Sequence, residues 1–201
     1  LTYDANGLRA LRTVTNIVGQ LPEYVTSVAA ANADGNDNVY LRALETVASD
    51  KTINALVSNN GSLRINAGAK VTVRSGLLTL KGVTFGVDGA NGALDVGSSE
   101  GVIVRTATGG SDGVTFYLPL AGSNGYTFAA YNGWIPFWGT NSYSGPTTIA
   151  CGTIEFKAKA AYAKSNVYFP DDGQVLVHPG AILIVGNKDY WANEIIGSLA
   201  G

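Results

Sequence analysis

The chain has 201 residues, of which 46% are hydrophobic and 14% are charged, and its formal net charge is -2. An average globular domain carries about 25% charged residues, so this composition excludes intrinsically disordered chains, which combine high charge with few apolar residues, and coiled coils, which need Glu, Lys and Leu heptads. The slightly negative charge argues against nucleic acid as a partner, and no run of 18 apolar residues is present that would span a membrane as a helix.

The first fifty residues differ from the rest and are predicted to form an N-terminal element that leads into the main domain, residues 51–201. Pro22 is suited to the first turn of a helix, and we predict a short helix over residues 22–31. Residues 32–38 follow as a loop rich in Asn and Asp, predicted as a plain connection with calcium binding as the alternative. The chain contains no Met, and we predict that it is an internal segment of a longer protein.

From residue 39 onward the sequence predicts short strands, because apolar and polar residues alternate with a period of two. Turns rich in Asn and Gly separate these strands, and both residue types tolerate a positive φ. The strands are predicted at 39–41, 52–56, 62–65, 70–73, 77–80, 93–96, 102–105, 114–118, 152–156, 174–177 and 181–185.

The spacing of these strands fits either a β-solenoid or a β-sandwich. Two features favour the solenoid. The turns lack the two-residue Asn-Gly form of hairpins, and the phrase Gly-Ala-x-apolar-x-apolar recurs from residues 68 and 180. We therefore predict an all-β parallel β-solenoid in which stacked rungs supply the core, with a jelly-roll sandwich as the runner-up.

Residues 139–156 carry a more specific signal, since they read GTNSYSGPTTIACGTIEF. This segment resembles the autotransporter-associated β-strand repeat, whose usual phrase is N-T-Y-T-G-x-T-T-I-x-x-G-T-L. The matching positions are Asn141, Tyr143, Gly145, Thr147, Thr148, Ile149, Gly152 and Thr153. Residues 196–201, IGSLAG, are similar to the phrase that follows such repeats, and residues 37–41 with 52–56 resemble the opening of a long repeat unit.

The resemblance implies a right-handed β-helix that is secreted or exposed at the cell surface, often within a very large protein. Such a repeat is a structural rung, so we predict a non-catalytic structural segment of an extracellular adhesive or filament-forming protein. The open ends of a solenoid expose unpaired strand edges. We therefore expect the partners to be further copies of the chain or rungs of its parent protein.

Catalytic residues are sparse in the sequence. His178 is the sole histidine, which rules out a zinc site built on several histidines, and no G-x-S-x-G phrase supports a nucleophilic serine. Cys151 lies inside the repeat phrase and is predicted as a small buried hydrophobe. We predict no enzymatic activity, no metal and no cofactor. A glycan-cleaving β-helix is the alternative, and the acids that stacking could bring together are Asp95, Asp112, Asp171 and Asp172.

Aromatic residues concentrate in residues 126–143, and we take this segment as the candidate interaction site. They could pack on the solenoid flank, form a contact patch for a partner, or stack against sugars. The candidate residues are Tyr126, Tyr131, Trp134, Phe137, Trp138 and Tyr143. A glycan-binding module and a viral tail or capsid-decoration module therefore remain alternatives to the structural role.

Overall fold

The computed structural model describes residues 2–4, 7–9, 23–87, 91–106, 113–157, 169–170, 173–186 and 198–200. Throughout these residues every regular element is a β-strand, and no helix is present. Strands β1 (Thr2–Asp4) and β2 (Gly7–Arg9) form a separate antiparallel pair. The other strand pairs are all parallel.

The parallel strands lie on three faces, because from β3 to β12 each strand pairs with the strand three places further along the chain. Face one contains β3 (Asn38–Leu41), β6 (Ala55–Asn59), β9 (Leu77–Lys81), β12 (Gly101–Arg105), the first parts of β15 (Tyr126–Phe137) and β16 (Thr147–Phe156), β17 (Gln174–Val177) and β19 (Ser198–Ala200). Face two contains β4 (Glu45–Val47), β7 (Leu63–Ile65), β10 (Val83–Phe85), β13 (Val114–Phe116), the second parts of β15 and β16, and β18 (Ile182–Val185). Face three contains β5 (Lys51–Ile53), β8 (Lys70–Val73), β11 (Ala93–Asp95) and β14 (Leu120–Ala121).

One passage of the chain around the faces is a rung, and successive rungs stack in register to form a coil. Val39, for example, pairs with Leu56, and Ile103 pairs with Phe128. The strands extend 287° around a common axis, so the sheet is nearly closed. This arrangement is compatible with the predicted parallel β-solenoid, and its parallel pairing does not fit a jelly-roll sandwich.

The predicted helix at 22–31 is wrong for residues 23–31, and Pro22 lies outside the described residues. Val25 instead forms a parallel bridge with Val39, through bonds from Val25 N to Asn38 O (2.9 Å) and from Tyr40 N to Val25 O (2.8 Å). An isolated helix of this length is marginal, and tertiary pairing overrides its weak propensity.

A carboxylate holds the same segment against the first rung. Glu45 accepts hydrogen bonds from Ser27 Oγ (2.8 Å), Val28 N (2.8 Å) and Ala29 N (2.7 Å). The backbone N–H groups that a helix would have used internally therefore bond to Glu45, and Val28 is fully buried.

The core contains a ladder of phenylalanine rings on face two, one from each of four successive rungs. Phe85, Phe116, Phe137 and Phe156 stack with centroid distances of 5.1, 4.8 and 5.0 Å and interplanar angles of 15–17°. These distances are close to the spacing between neighbouring strands, so in-register stacking brings the rings into contact. Phe169 continues the ladder with a T-shaped contact to Phe156 at 4.6 Å.

Tyr126 is a buried polar side chain on face one, and its hydroxyl donates to Ala121 O at 2.8 Å. Burial raises the pKa of the Tyr126 phenol far above its ordinary value near 10. The pKa of Tyr126 is thus higher in the folded state than in the unfolded state. The stabilisation that the neutral, buried phenol gives the fold is fully present below pH ~10 and is lost as the pH rises above it.

We therefore expect Tyr126→Phe to be less stable than the wild type by about 1 kcal/mol at pH 7, and this difference to narrow or reverse at pH 11. Urea unfolding followed by circular dichroism at both pH values measures the two differences. An equal difference at pH 7 and pH 11 would contradict the buried neutral phenol.

Candidate functional site

Three of the six candidate aromatic residues belong to the core. Tyr126, Phe137 and Tyr143 are 1%, 1% and 4% exposed. The Tyr143 ring lies 4.8 Å from the Tyr126 ring, and the Tyr143 hydroxyl is 2.7 Å from Thr147 Oγ1. These residues fill the inside of the coil and present no surface to a partner.

The other three candidates lie on the outside of the coil. Tyr131 and Trp134 are 59% and 45% exposed, and Trp138 is half-buried. Trp138 stacks on Tyr117 of the preceding rung, with centroids 6.1 Å apart and an interplanar angle of 13°. Lys157 of the following rung places its Nζ 4.8 Å from the centroids of both Trp134 and Trp138. We call Tyr117, Trp134, Trp138, Glu155 and Lys157 the aromatic cluster.

The positive charge of Lys157 is balanced by a carboxylate within the aromatic cluster itself. The Lys157 ammonium lies 3.2 Å from Glu155 Oε2, and Glu155 is only 8% exposed. Each partly desolvated cation–π contact contributes on the order of 1 kcal/mol. Tyr117 and Lys157 thus cover Trp138 from two neighbouring rungs, and this leaves Trp134 as the better exposed indole of the pair.

An apolar strand lies beside the aromatic cluster on face two. In β18, Ile182, Ile184 and Val185 are 53%, 40% and 37% exposed. Register places Trp134, Thr153 and Ile182 in one column, and Glu155 pairs with Ile184 in the next. We call Trp134, Ile182, Ile184 and Val185 the apolar patch.

The exposure of the apolar patch follows from its place in the coil. β18 pairs with β16 along one edge, and no strand among the described residues pairs with its other edge. Val185 pairs in register with Phe156 and so continues the column of the phenylalanine ladder, yet it is 37% exposed. The strand column of Phe156 therefore reaches solvent at Val185, whereas Phe169, which also packs on Phe156, is fully buried.

Sequence reasoning selected Trp134 but missed the three residues of β18. Residues 181–185 form an unbroken apolar run, whereas a strand with one solvent-facing side should alternate. That run was the available signal for an apolar outer side. No signal in the sequence indicated that Tyr117 and Lys157 would pack against Trp138, because these contacts depend on which rungs become neighbours.

The acids proposed for glycan chemistry do not form a catalytic pair where the structure describes them. Asp95 lies on the outside of face three, 3.0 Å from Lys70 Nζ, and accepts a hydrogen bond from Gly97 N at 2.8 Å. The bond to Asp95 raises the pKa of Lys70. Asp112, Asp171 and Asp172 lie outside the described residues.

The remaining candidate side chains stand apart from one another. His178 is exposed just after β17, and Cys151 is half-buried, so the prediction of a buried cysteine is only partly met. In the loop 32–38, Asp37 Oδ2 accepts from Asn32 N and Asp34 Oδ1 from Asn36 N. Among the residues that the structure describes, no three His, Cys, Asp or Glu side chains are grouped to hold a metal ion.

Two surface cavities lie at corners of the coil. One, of about 350 Å³, is lined by Ser144, Gly145, Pro146, Gly173 and Gln174. The other, of about 340 Å³, contains Arg74, whose Nη1 already donates to Asp34 O and Asn36 Oδ1. Neither cavity brings an acid and a base together.

In the described part of the chain no helix is long and apolar enough to cross a membrane.

Comparison of the chain with protein-family models, with curated proteins and with solved structures gives no match in any of the three. The apolar patch and the aromatic cluster beside it are the surface features from which a function can be inferred.

Proposed function

We propose that this chain is a non-catalytic structural segment of a secreted or cell-surface adhesive or filament-forming protein. The segment is a right-handed parallel β-helix of the autotransporter-associated type, and it associates with further rungs or further copies through the end of face two. A right-handed winding agrees with the strong preference for right-handed crossovers between parallel strands.

The residues of the repeat phrase support this proposal through their contacts. Asn141 is 3% exposed, and its Oδ1 accepts from Leu120 N of the preceding rung at 3.0 Å. Gly145 adopts a φ of +92°, and β16 begins two residues later at Thr147. The repeat phrase thus supplies Asn141, whose side chain links two rungs, and Gly145, which forms the corner before β16.

The observation that carries the proposal is the apolar patch. The last described strand of face two, β18, carries Ile182, Ile184 and Val185, each more than a third exposed. An open strand edge with apolar side chains is a template for another strand, and contiguous exposed apolar area marks a protein interface. The apolar surface supports assembly, and the lone histidine and dispersed acids offer little support for catalysis.

A charged side chain introduced into the apolar patch should prevent copies of the chain from associating. We expect Ile184→Lys to reduce the weight-average sedimentation coefficient of the concentrated chain to that of the monomer, because an ammonium at a buried contact is costly to desolvate. The matched control is Val87→Lys, since Val87 is an exposed apolar residue in the middle of the coil (36%). Sedimentation velocity over a range of concentrations measures both.

The control should associate as the wild type does, and both variants should keep the β-signal in circular dichroism. A wild type that stays monomeric at every concentration, or an Ile184→Lys chain that assembles unchanged, would overturn assembly through this end. Retention of the monomeric wild type on a polysaccharide matrix, lost with Trp134→Ala, would favour the glycan-binding alternative.

A further inference from the structure

The two ends of the coil differ in how their strand edges are covered. At the C-terminal end, no strand among the described residues pairs with the outer edge of β18, and three of its apolar side chains are exposed. At the N-terminal end, residues 23–37 lie against the first rung before the chain enters β3 at Asn38. We call residues 23–37 the N-terminal cap.

The N-terminal cap occupies the outer edge of face one. β3 pairs with β6 on its inner side, and on its outer side Val25 takes the place of a further strand. The Tyr40 amide donates to Val25 O at 2.8 Å, and the Val25 amide donates to Asn38 O at 2.9 Å. An incoming strand would need these same backbone groups of β3, so it cannot add while Val25 is in place.

The N-terminal cap is also held by the strands that begin faces two and three. Glu45, the first residue of β4, accepts the three hydrogen bonds from the cap that are described above. Lys51, the first residue of β5, donates from its Nζ to Ala29 O at 3.1 Å. Further along the cap, Gly35 is buried so close to face three that an added Cβ would lie 2.6 Å from Thr52 Cγ2. The cap therefore contacts the first strand of every face.

The N-terminal cap covers the end of the hydrophobic core as well. Val28 is fully buried and Ala31 is 6% exposed, and both belong to the core cluster. The inward residues of the first rung on the three faces, Val39, Val47 and Ile53, are at most 3% exposed. A terminal rung without such cover would expose its apolar residues, as the last described strand of face two does.

We propose that the N-terminal cap blocks the addition of a second coil to the first rung, so that the chain assembles only from its C-terminal end. This inference rests on the proposed function, whose apolar patch supplies the open end, and it gives that assembly a direction. Two open ends can meet in an isologous contact, which closes at two copies. Growth beyond two copies needs a head-to-tail contact, and the cap must leave the first rung before one forms.

Val28→Asp tests the N-terminal cap, with Ala30→Asp as the matched control. Val28 is the fully buried anchor of the cap, and a carboxylate there is costly to desolvate, so the cap should leave the first rung. Ala30 is exposed in the same segment and should tolerate the charge. Glu45→Ala removes three hydrogen bonds to the cap without adding a charge, and should act in the same direction as Val28→Asp.

Hydrogen exchange followed by nuclear magnetic resonance shows whether the cap has left. The Tyr40 amide should exchange at least about tenfold faster in Val28→Asp, because its acceptor Val25 O belongs to the cap. The amides of β9, in the middle of the coil, should be unchanged, and Ala30→Asp should behave as the wild type. If Val28→Asp loses the β-signal in circular dichroism, Glu45→Ala takes its place. Unchanged Tyr40 protection in Glu45→Ala and in a folded Val28→Asp would overturn the proposal.

Sedimentation velocity over a range of concentrations measures the effect of the cap on assembly. The wild type and Ala30→Asp should reach a limiting size of two copies, whereas Val28→Asp should continue to grow. Adding Ile184→Lys to Val28→Asp should abolish growth beyond two copies, because a head-to-tail contact needs both ends.

Two results would show that the cap does not block assembly. One is a wild type that itself grows without limit, and the other is a variant with a released cap that is no larger than the wild type. A monomeric wild type contradicts the proposed function alone. The cap is still tested in that case, since the uncovered first rung of Val28→Asp should pair with a second copy and give a larger species than the wild type.

Discussion

Replacing Phe137 by alanine is expected to lower the free energy of unfolding by about 3–5 kcal/mol, the usual cost of removing a fully buried phenylalanine. Phe137 is 1% exposed and stacks between Phe116 and Phe156, at 4.8 and 5.0 Å. Its loss would leave a cavity in the middle of the ladder, and the rigid strands on either side cannot close it. Urea unfolding followed by circular dichroism measures the change.

Tyr131→Ala is the control for this prediction, because Tyr131 lies in the same strand and is 59% exposed. We expect it to change the free energy of unfolding by less than about 0.5 kcal/mol. A comparable loss in both variants would show that the ladder is not the core of the coil. Should Phe137→Ala prove too unstable to purify, Phe137→Leu is expected to cost less and to preserve the ranking.

Replacing Gly76 by alanine is expected to destabilise the coil by about 3 kcal/mol or more, because the strain of a positive φ adds to a steric clash with the next rung. Gly76 has a φ of +72°, and an added Cβ would lie 1.9 Å from the Glu100 carbonyl oxygen of the next rung. The backbone cannot relieve this contact without separating the rungs.

Gly97→Ala isolates the conformational part of this cost. Gly97 has a φ of +60°, but nothing lies within 4 Å of an added Cβ. We expect a loss of about 1–2 kcal/mol from the positive φ alone. Equal losses in Gly76→Ala and Gly97→Ala, compared by thermal and urea unfolding, would contradict the close stacking of the two rungs.

The strands of the coil could be predicted from the sequence because their alternation is local. The predicted strands at 62–65, 70–73, 77–80 and 102–105 agree with β7, β8, β9 and β12 to within a residue or two. Their inward residues, such as Leu78 and Ile103, are the fully buried ones. The parallel architecture could be predicted because the turns between the strands lack the two-residue Asn-Gly form that joins antiparallel strands in hairpins.

Corners without glycine were harder to predict. Residues 52–56 looked like one strand, yet the chain turns at Asn54, between β5 on face three and β6 on face one. Asn54 Nδ2 donates to Asn38 Oδ1 at 2.8 Å, a bond between rungs that no local pattern encodes. The helix predicted at 22–31 was wrong for residues 23–31 for the same reason, because Val39 and Glu45 determine the conformation of this segment from a distance.

The aromatic segment shows the limit of sequence reasoning about sites. Composition placed Tyr126, Phe137 and Trp134 in one candidate group, but strand alternation turns the first two inward and the third outward. The corner within β15, where Asn132 has a φ of +48°, shifts the register between faces one and two. Which aromatic residue reaches solvent therefore depends on a bulge that composition does not reveal.

The parallel register of the coil is the claim on which every proposal here depends, and nuclear Overhauser contacts across face one test it most directly. We expect backbone contacts from Ile103 to Leu78 on one side and to Phe128 on the other, with the parallel pattern. Contacts that instead join β12 to β13 as neighbouring antiparallel strands would contradict the coil and the surfaces derived from it.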